Sequence, residues 1–222
     1  LARMVAEMGG LAEKEIAEAV QSLTRRDTAL ARRMIATDKQ VDVLQRELEE
    51  RAVLTIARRQ PMAVDLREIV SALRVANEIE RIGDLAKNIG KRVLDLNGEY
   101  PSIKLIRGVE HMGSLVLDQL KRVLDAYAAR DVDGAMEVWR RDEEIDAMCV
   151  SLFRELLTYM MEDPRSITFC IHLLFSAKNI ERMGDHATNI AETVHYMITG
   201  KPIELERPKA DTTSFSPLSL QG

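Results

Sequence analysis

A ten-residue acidic phrase occurs twice in this chain, as Glu80-Arg81-Ile82-Gly83-Asp84-Leu85-Ala86-Lys87-Asn88-Ile89 and as Glu181-Arg182-Met183-Gly184-Asp185-His186-Ala187-Thr188-Asn189-Ile190. Glu, Gly, Asp and Asn return in the same order at a constant offset of 101 positions. A repeat of this kind means that one supersecondary unit has been used twice. Whatever the first half folds into, the second should fold into as well, with its own copy of the carboxylates.

The unit reads as helical. Of the 222 residues 46% are hydrophobic but only 4% aromatic, and Ala, Leu, Ile, Val, Met, Glu and Arg carry the pattern, which suits long helices better than sheets. Breakers divide the chain into six helical stretches, three in each half. They are expected over about 2–26, 28–59 and 61–96, then 102–129, 131–161 and 164–198. Asp27 and Asp131 offer N-caps, Pro61 and Pro164 suit first helical turns, and Asn97-Gly98-Glu99-Tyr100-Pro101 marks the midpoint. Long helices on short connections must double back as neighbours. The predicted fold is therefore all-α: two tandem three-helix bundles related by a pseudo-twofold, spanning 1–98 and 99–200. Residues 201–222, with Pro202, Pro208 and Pro217, read as a tail without a packed core.

Net charge is −5 and the pI near 5.5, with basic residues such as Arg25, Arg26, Arg32 and Arg33 balanced by acids, so no basic face suits a nucleic-acid backbone. No apolar run approaches the roughly 20 residues needed to span a bilayer. Leu1-Ala2-Arg3-Met4 carries no signal-peptide pattern, and without an initiator Met it reads as starting inside a longer chain. Cys149 and Cys170 sit in apolar-periodic stretches and are expected as buried, reduced thiols in a cytosolic protein.

Residues four apart lie on one helix face. Glu80 and Asp84 can therefore address one ligand, and Asn88 extends the row. Asp38 and Asp42 have the same spacing, and Asp142 and Asp146 answer them in the second half at an offset of 104. Along Leu66, Val70, Leu73, Asn77, Glu80, Asp84 and Asn88 an apolar seam turns acidic, and Ile171, Leu174, Lys178, Glu181, Asp185 and Asn189 repeat the handover. A single acid pair on a helix is ordinarily solvated or bonded to an arginine, here Arg81 or Arg182. Doubled pairs at matching positions point further, since carboxylates held together repel and need a cation. Four side-chain oxygens suit Fe, Mn, Mg or Zn better than soft ions. Gly83 and Gly184 within long helices imply close approach of another backbone.

Other candidates are weaker. Glu192 and His195 form an E-x-x-H, but a di-iron bundle centre needs that motif twice and the first half has none. His111, His172 and His186 are isolated, although His186 follows Asp185 and could join its site. No nucleophile arrangement or phosphate loop occurs.

Gln60-Pro61-Met62-Ala63-Val64-Asp65-Leu66-Arg67, the doubled E-R-x-G-D and the preceding D-x-x-x-D together resemble the PhoU family of phosphate-uptake regulators, over nearly the whole chain to about Gly200. That resemblance implies a cytoplasmic, non-enzymatic protein of two three-helix bundles whose acidic motifs hold multinuclear iron or zinc clusters in some members. The ligands would be Asp38, Asp42, Glu80 and Asp84 in one half and Asp142, Asp146, Glu181 and Asp185 in the other. Asn88, Asn189, Arg81, Arg182, Asp65 and Arg67 would support them. It further implies a homodimer that negatively regulates the phosphate regulon, an adaptor between a phosphate ABC transporter and its ATPase on one side and a membrane sensor histidine kinase on the other. The rival expectation is a carboxylate-bridged metalloenzyme. Asp65-Leu66-Arg67 has no counterpart after Pro164, where Arg165-Ser166-Ile167 stands, so the two sites should differ.

Overall fold

The computed structural model describes residues 1–37, 39–96 and 104–207. Among them are eight α-helices and no strand: α1 (Ala2–Arg25), α2 (Thr28–Thr37), α3 (Lys39–Arg59), α4 (Val64–Leu96), α5 (Lys104–Ala129), α6 (Val132–Arg140), α7 (Asp142–Glu162) and α8 (Ile167–Thr199), with a 3₁₀ turn at Pro164–Ser166. The chain is all-α, three helical rods in each half, the middle rod of each half being α2 with α3 and α6 with α7.

The repeat is visible in the first turn of each half. Arg26 and Arg130 both adopt the left-handed conformation at φ 57°. The following N–H then reaches back to a helix carbonyl, Asp27 to Ser22 at 2.9 Å and Asp131 to Ala126 at 2.9 Å. Each aspartate next caps the new helix, Asp27 Oδ1 accepting from the Leu30 N–H at 2.8 Å and Asp131 Oδ1 from the Gly134 N–H at 3.1 Å. A left-handed residue followed by a capping carboxylate is how one helix is stopped and another started without a long loop.

Two expectations need correction. Pro61 does not open α4: it sits in a turn between Gln60 and Ala63, both at φ 46°, and the helix begins at Val64. The 131–161 rod is interrupted. In the second half the break falls at Arg141 (φ −88°, ψ 1°), whose carbonyl accepts from Gln119 Nε2 of α5 at 3.4 Å. A carbonyl drawn toward a neighbouring helix is a tertiary cause, and the local sequence carries no Gly or Pro to announce it.

The halves are not separate lobes. α4 and α8, 33 residues each, pack along one another. α1 lies against α4, α5 against α8, and α1 against α5. One continuous core results, with Ile79, Ile82 and Ile89 of α4 and Met183, Ile190 and Val194 of α8 all without exposure. Each such side chain contributes about 1.5–3 kcal/mol of burial. Close contact between halves also explains Gly113 of α5, where a Cβ would lie 2.6 Å from Val20 of α1. Cys149 and Cys170 are both buried.

Candidate carboxylate sites

Both acidic phrases lie where α4 and α8 meet the middle rods of their own halves. In the first half Glu80 and Asp84 stand one turn apart on α4, and Asp42 in the first turn of α3 faces them. Burial, then the charge of Asp84 and with it that of Asp42, pushes the Glu80 carboxyl above its ordinary range, against the pull of Arg81 and Lys87. The basic partners come from α4 itself. Lys87 Nζ lies 2.6 Å from Asp84 Oδ1, and Arg81 Nε 3.7 Å from Glu80 Oε2. Asn88 accepts from Lys91 at 3.4 Å. Asp38 lies outside the described residues.

In the second half the group is deeper. Asp142, Asp146 and Glu181 are 2%, 3% and 6% exposed, because the break at Arg141 turns the start of α7 inward against α8. Asp142 Oδ1 accepts from Thr188 Oγ1 at 2.9 Å. Burial raises the Glu181 carboxyl, with Asp185 and Asp146 adding to it while Lys178, 2.9 Å from Oε1, opposes. Glu181 Oε2 is buried and has no hydrogen-bond partner.

A side chain from beyond the last helix completes this group. Arg207 donates from Nε to Asp142 Oδ2 at 2.8 Å, from Nη2 to Asp185 Oδ1 at 2.6 Å and from Nη1 to Asn189 Oδ1 at 3.4 Å. Burial disfavours its charge, but Asp142 and Asp185 outweigh that and hold it protonated. Residues 200–207 thus pack as a strap, with Ile203 resting against the core, so this part of the tail expected over 201–222 has a packed contact, and 208–222 lie outside the described residues.

The two halves are joined through Glu78. Its Oε2 meets His186 Nδ1 at 2.7 Å and accepts from Asn189 Nδ2 at 3.0 Å, so His186 reaches into the other half rather than joining Asp185. Burial works to raise the Glu78 carboxyl, yet these hydrogen bonds and the His186 charge bring it below its ordinary range. Beside the clamp an open cleft of about 800 Å³ runs between α4 and α8, lined by Arg74, Asn77, Tyr196 and the strap residues Pro202 and Ile203.

The remaining candidates have structural posts. Arg81 and Arg182 are exposed. Asp65 is exposed in the first turn of α4, and the Arg67 guanidinium lies against Gly200 at the left-handed end of α8, where a Cβ would collide with it. Glu192 accepts from Trp139 Nε1 at 3.1 Å and His195 Nδ1 faces the Lys201 carbonyl at 3.1 Å, so the E-x-x-H is absorbed by packing. A Cβ on Gly184 would meet side chains, Ile145 at 3.2 Å and Gln119 at 3.5 Å, and the close approach expected there is of side chains rather than backbone. The seam from Leu66 to Asn88 is a half-exposed border of α4. Its core face runs instead through Ile69, Ala72, Ala76, Ile79 and Ile82.

Among the described residues no group of three or more His, Cys, Asp or Glu side chains is arranged to hold a metal ion as it stands. The donor chemistry nevertheless fits a hard cation: all oxygen, repelling at close range, with one buried carboxylate oxygen at Glu181 lacking a partner.

Comparison with known proteins agrees with the repeat. The PhoU domain matches twice, over residues 5–93 and 109–194. The chain is 57% identical to a phosphate-specific transport system accessory protein PhoU homolog of Rhizobium meliloti, over 96% of this chain and 90% of that one. It is 52% identical to the homolog so named from Caulobacter vibrioides, over 96% and 94%. Crystal structures of PhoU from Pseudomonas aeruginosa and from Streptococcus pneumoniae superpose with TM-scores of 0.84 and 0.83, at 39% and 26% identity, covering 90% and 91% of this chain and 95% of each of those. An all-α chain with the acidic phrase in each half, matched by one domain family in both halves, belongs to the PhoU domain family.

Proposed function

We propose that this chain regulates phosphate transport as a non-catalytic accessory protein, acting as an adaptor between a phosphate ABC transporter and a membrane sensor histidine kinase and damping the starvation response when phosphate is plentiful. The observation that carries this reading is the 57% identity over 96% of the chain to a relative named for the phosphate-specific transport system. The build agrees with it. Two long rods, α4 and α8, are braced by one core and give fixed outer faces to partners, and no described helix is long and apolar enough to cross a membrane. Contact with membrane machinery then runs through helix faces and charge complementarity.

The carboxylate groups serve this role by holding cations. Asp42, Glu80 and Asp84, with Asp38, would hold one, and Asp142, Asp146, Glu181 and Asp185 the other; iron or zinc, manganese or magnesium suits the oxygen set. A cation there supplies positive charge that neutralises repelling acids on the face the protein presents.

Deleting the gene tests the regulatory reading. Phosphate-responsive transcription should become constitutive and return to normal on complementation; unchanged transcription in phosphate-replete cells refutes it. Purification of the two partners with this chain, lost on disrupting its helix faces, tests the adaptor role.

A further inference from the structure

The two carboxylate groups are not equivalent, and the difference lies in what neutralises them. The first is balanced by Lys87 and Arg81, neighbours on its own helix. The second is balanced by Arg207, which lies 22 positions beyond Asp185 and reaches the group only because the strap 200–207 folds back over α8. Its guanidinium spans two helices, taking Asp142 at the start of α7 and Asp185 within α8. Both oxygens of Asp142 are then committed, one to Thr188 and one to Arg207. Across the group Glu181 Oε2 is buried without a partner.

A divalent cation held by Glu181, Asp185 and Asp142 would compete for the carboxylate oxygens that Arg207 now engages. It would also stand within a few ångströms of a fixed positive charge in a partly desolvated site, where repulsion is weakly screened. The two cations cannot share the group. The geometry points to Arg207 as a tethered counter-cation that fills the second carboxylate group in the metal-free chain and must leave when a divalent cation binds. Metal loading of the second half is thereby coupled to release of the strap, which also borders the cleft between α4 and α8 through Pro202 and Ile203. The first half carries no such latch among the described residues, so the repeat has been specialised into a resident-cation group and a latched one. This inference rests on the reading that the second group can hold a cation.

The test uses the full chain in a Glu80→Gln, Asp84→Asn background, so that zinc uptake reports on the second half alone. Calorimetric zinc titration should show binding at least tenfold tighter after Arg207→Gln, and adding Asp185→Asn should abolish the gain. In the chain that keeps Arg207, the Nε–Hε resonance of that side chain, assigned by its loss in Arg207→Gln, should move to the position of a solvent-exposed arginine at saturating zinc. Equal zinc affinity with and without Arg207 overturns the latch and leaves the cation reading standing. Absence of zinc binding in Arg207→Gln overturns both. An Arg207 resonance unmoved by zinc also overturns the latch, and this arm decides the matter if the substituted chain fails to fold.

Discussion

Removing the Glu78 carboxylate tests whether the two halves are held by a specific clamp or by apolar packing alone. Glu78 of α4 faces His186 and Asn189 of α8 at 2.7 and 3.0 Å, and both members of the ion pair are only 19% exposed. Hydrogen bonds to a charged group contribute about 1.5–3 kcal/mol when shielded, and a partner left behind loses its compensation for desolvation. Partial exposure reduces this, so Glu78→Ala should destabilise the chain by about 2 kcal/mol, a fall in Tm of roughly 4–8 °C for a protein of this size. Urea unfolding of Glu78→Ala, His186→Ala and the double variant at pH 7 gives the coupling between the two side chains, expected to be at least about 1 kcal/mol. The sign with pH follows from a folded-state carboxyl below its ordinary range. Its contribution is complete above the ordinary glutamate value and disappears as pH falls through the lowered one, so the difference between wild type and Glu78→Ala should shrink toward zero below about pH 4. A coupling within about 0.3 kcal/mol of zero, or a difference that persists into acid, would show that the clamp is incidental.

Glu181 should behave oppositely. Its carboxyl is raised by burial, so its ionisation costs stability near neutrality and the metal-free chain should gain stability as pH falls through the raised value toward the ordinary range. Glu181→Gln should flatten that gain and add about 1 kcal/mol at pH 7, measured by urea midpoints at pH 5 and 7 without metal. Gly113→Ala, whose Cβ would sit 2.6 Å from the stiff Val20 side chain, should cost about 1–3 kcal/mol. Gly10→Ala meets nothing within 4 Å and should stabilise α1 by up to about 1 kcal/mol; thermal melts of the pair check both. Asp27→Ala and Asp131→Ala should each cost about 1 kcal/mol if the two caps are equivalent, and unequal losses would break the symmetry argument.

The helices were legible because apolar residues recur at helical spacing and because the Arg-Asp turns at Arg26-Asp27 and Arg130-Asp131 are local signals. The break at Arg141 was not, since Arg140-Arg141-Asp142 contains no helix breaker and the interruption comes from Gln119 on another helix. Pro61 misled for a related reason: proline is compatible with a first turn, but flanking residues at positive φ placed it in the preceding turn. At the sites, four-residue spacing put Glu80 beside Asp84, and the D-x-x-x-D put Asp42 near Glu80 and Asp146 near Glu181, with Asp142 sharing Arg207 with Asp185. Arg207 was hidden by its surroundings, a stretch whose prolines read as unstructured, and Glu78 by lying two positions from a more conspicuous glutamate. Neither has a local pattern; both matter through partners at least 18 positions away in sequence.

The packing of α4 against α8 also bears on how the chain is made. The two acidic phrases are 101 positions apart, so at roughly 5–20 residues per second the ribosome leaves the inner face of α4 uncovered for about 5–20 s before α8 emerges. During that interval the nascent first half displays an apolar surface shaped for its sister repeat, and the same surface on a neighbouring nascent chain is a competing fit. Synthesis on crowded polysomes therefore opens an interval in which neighbouring chains compete for that face, and the interval closes when α8 emerges.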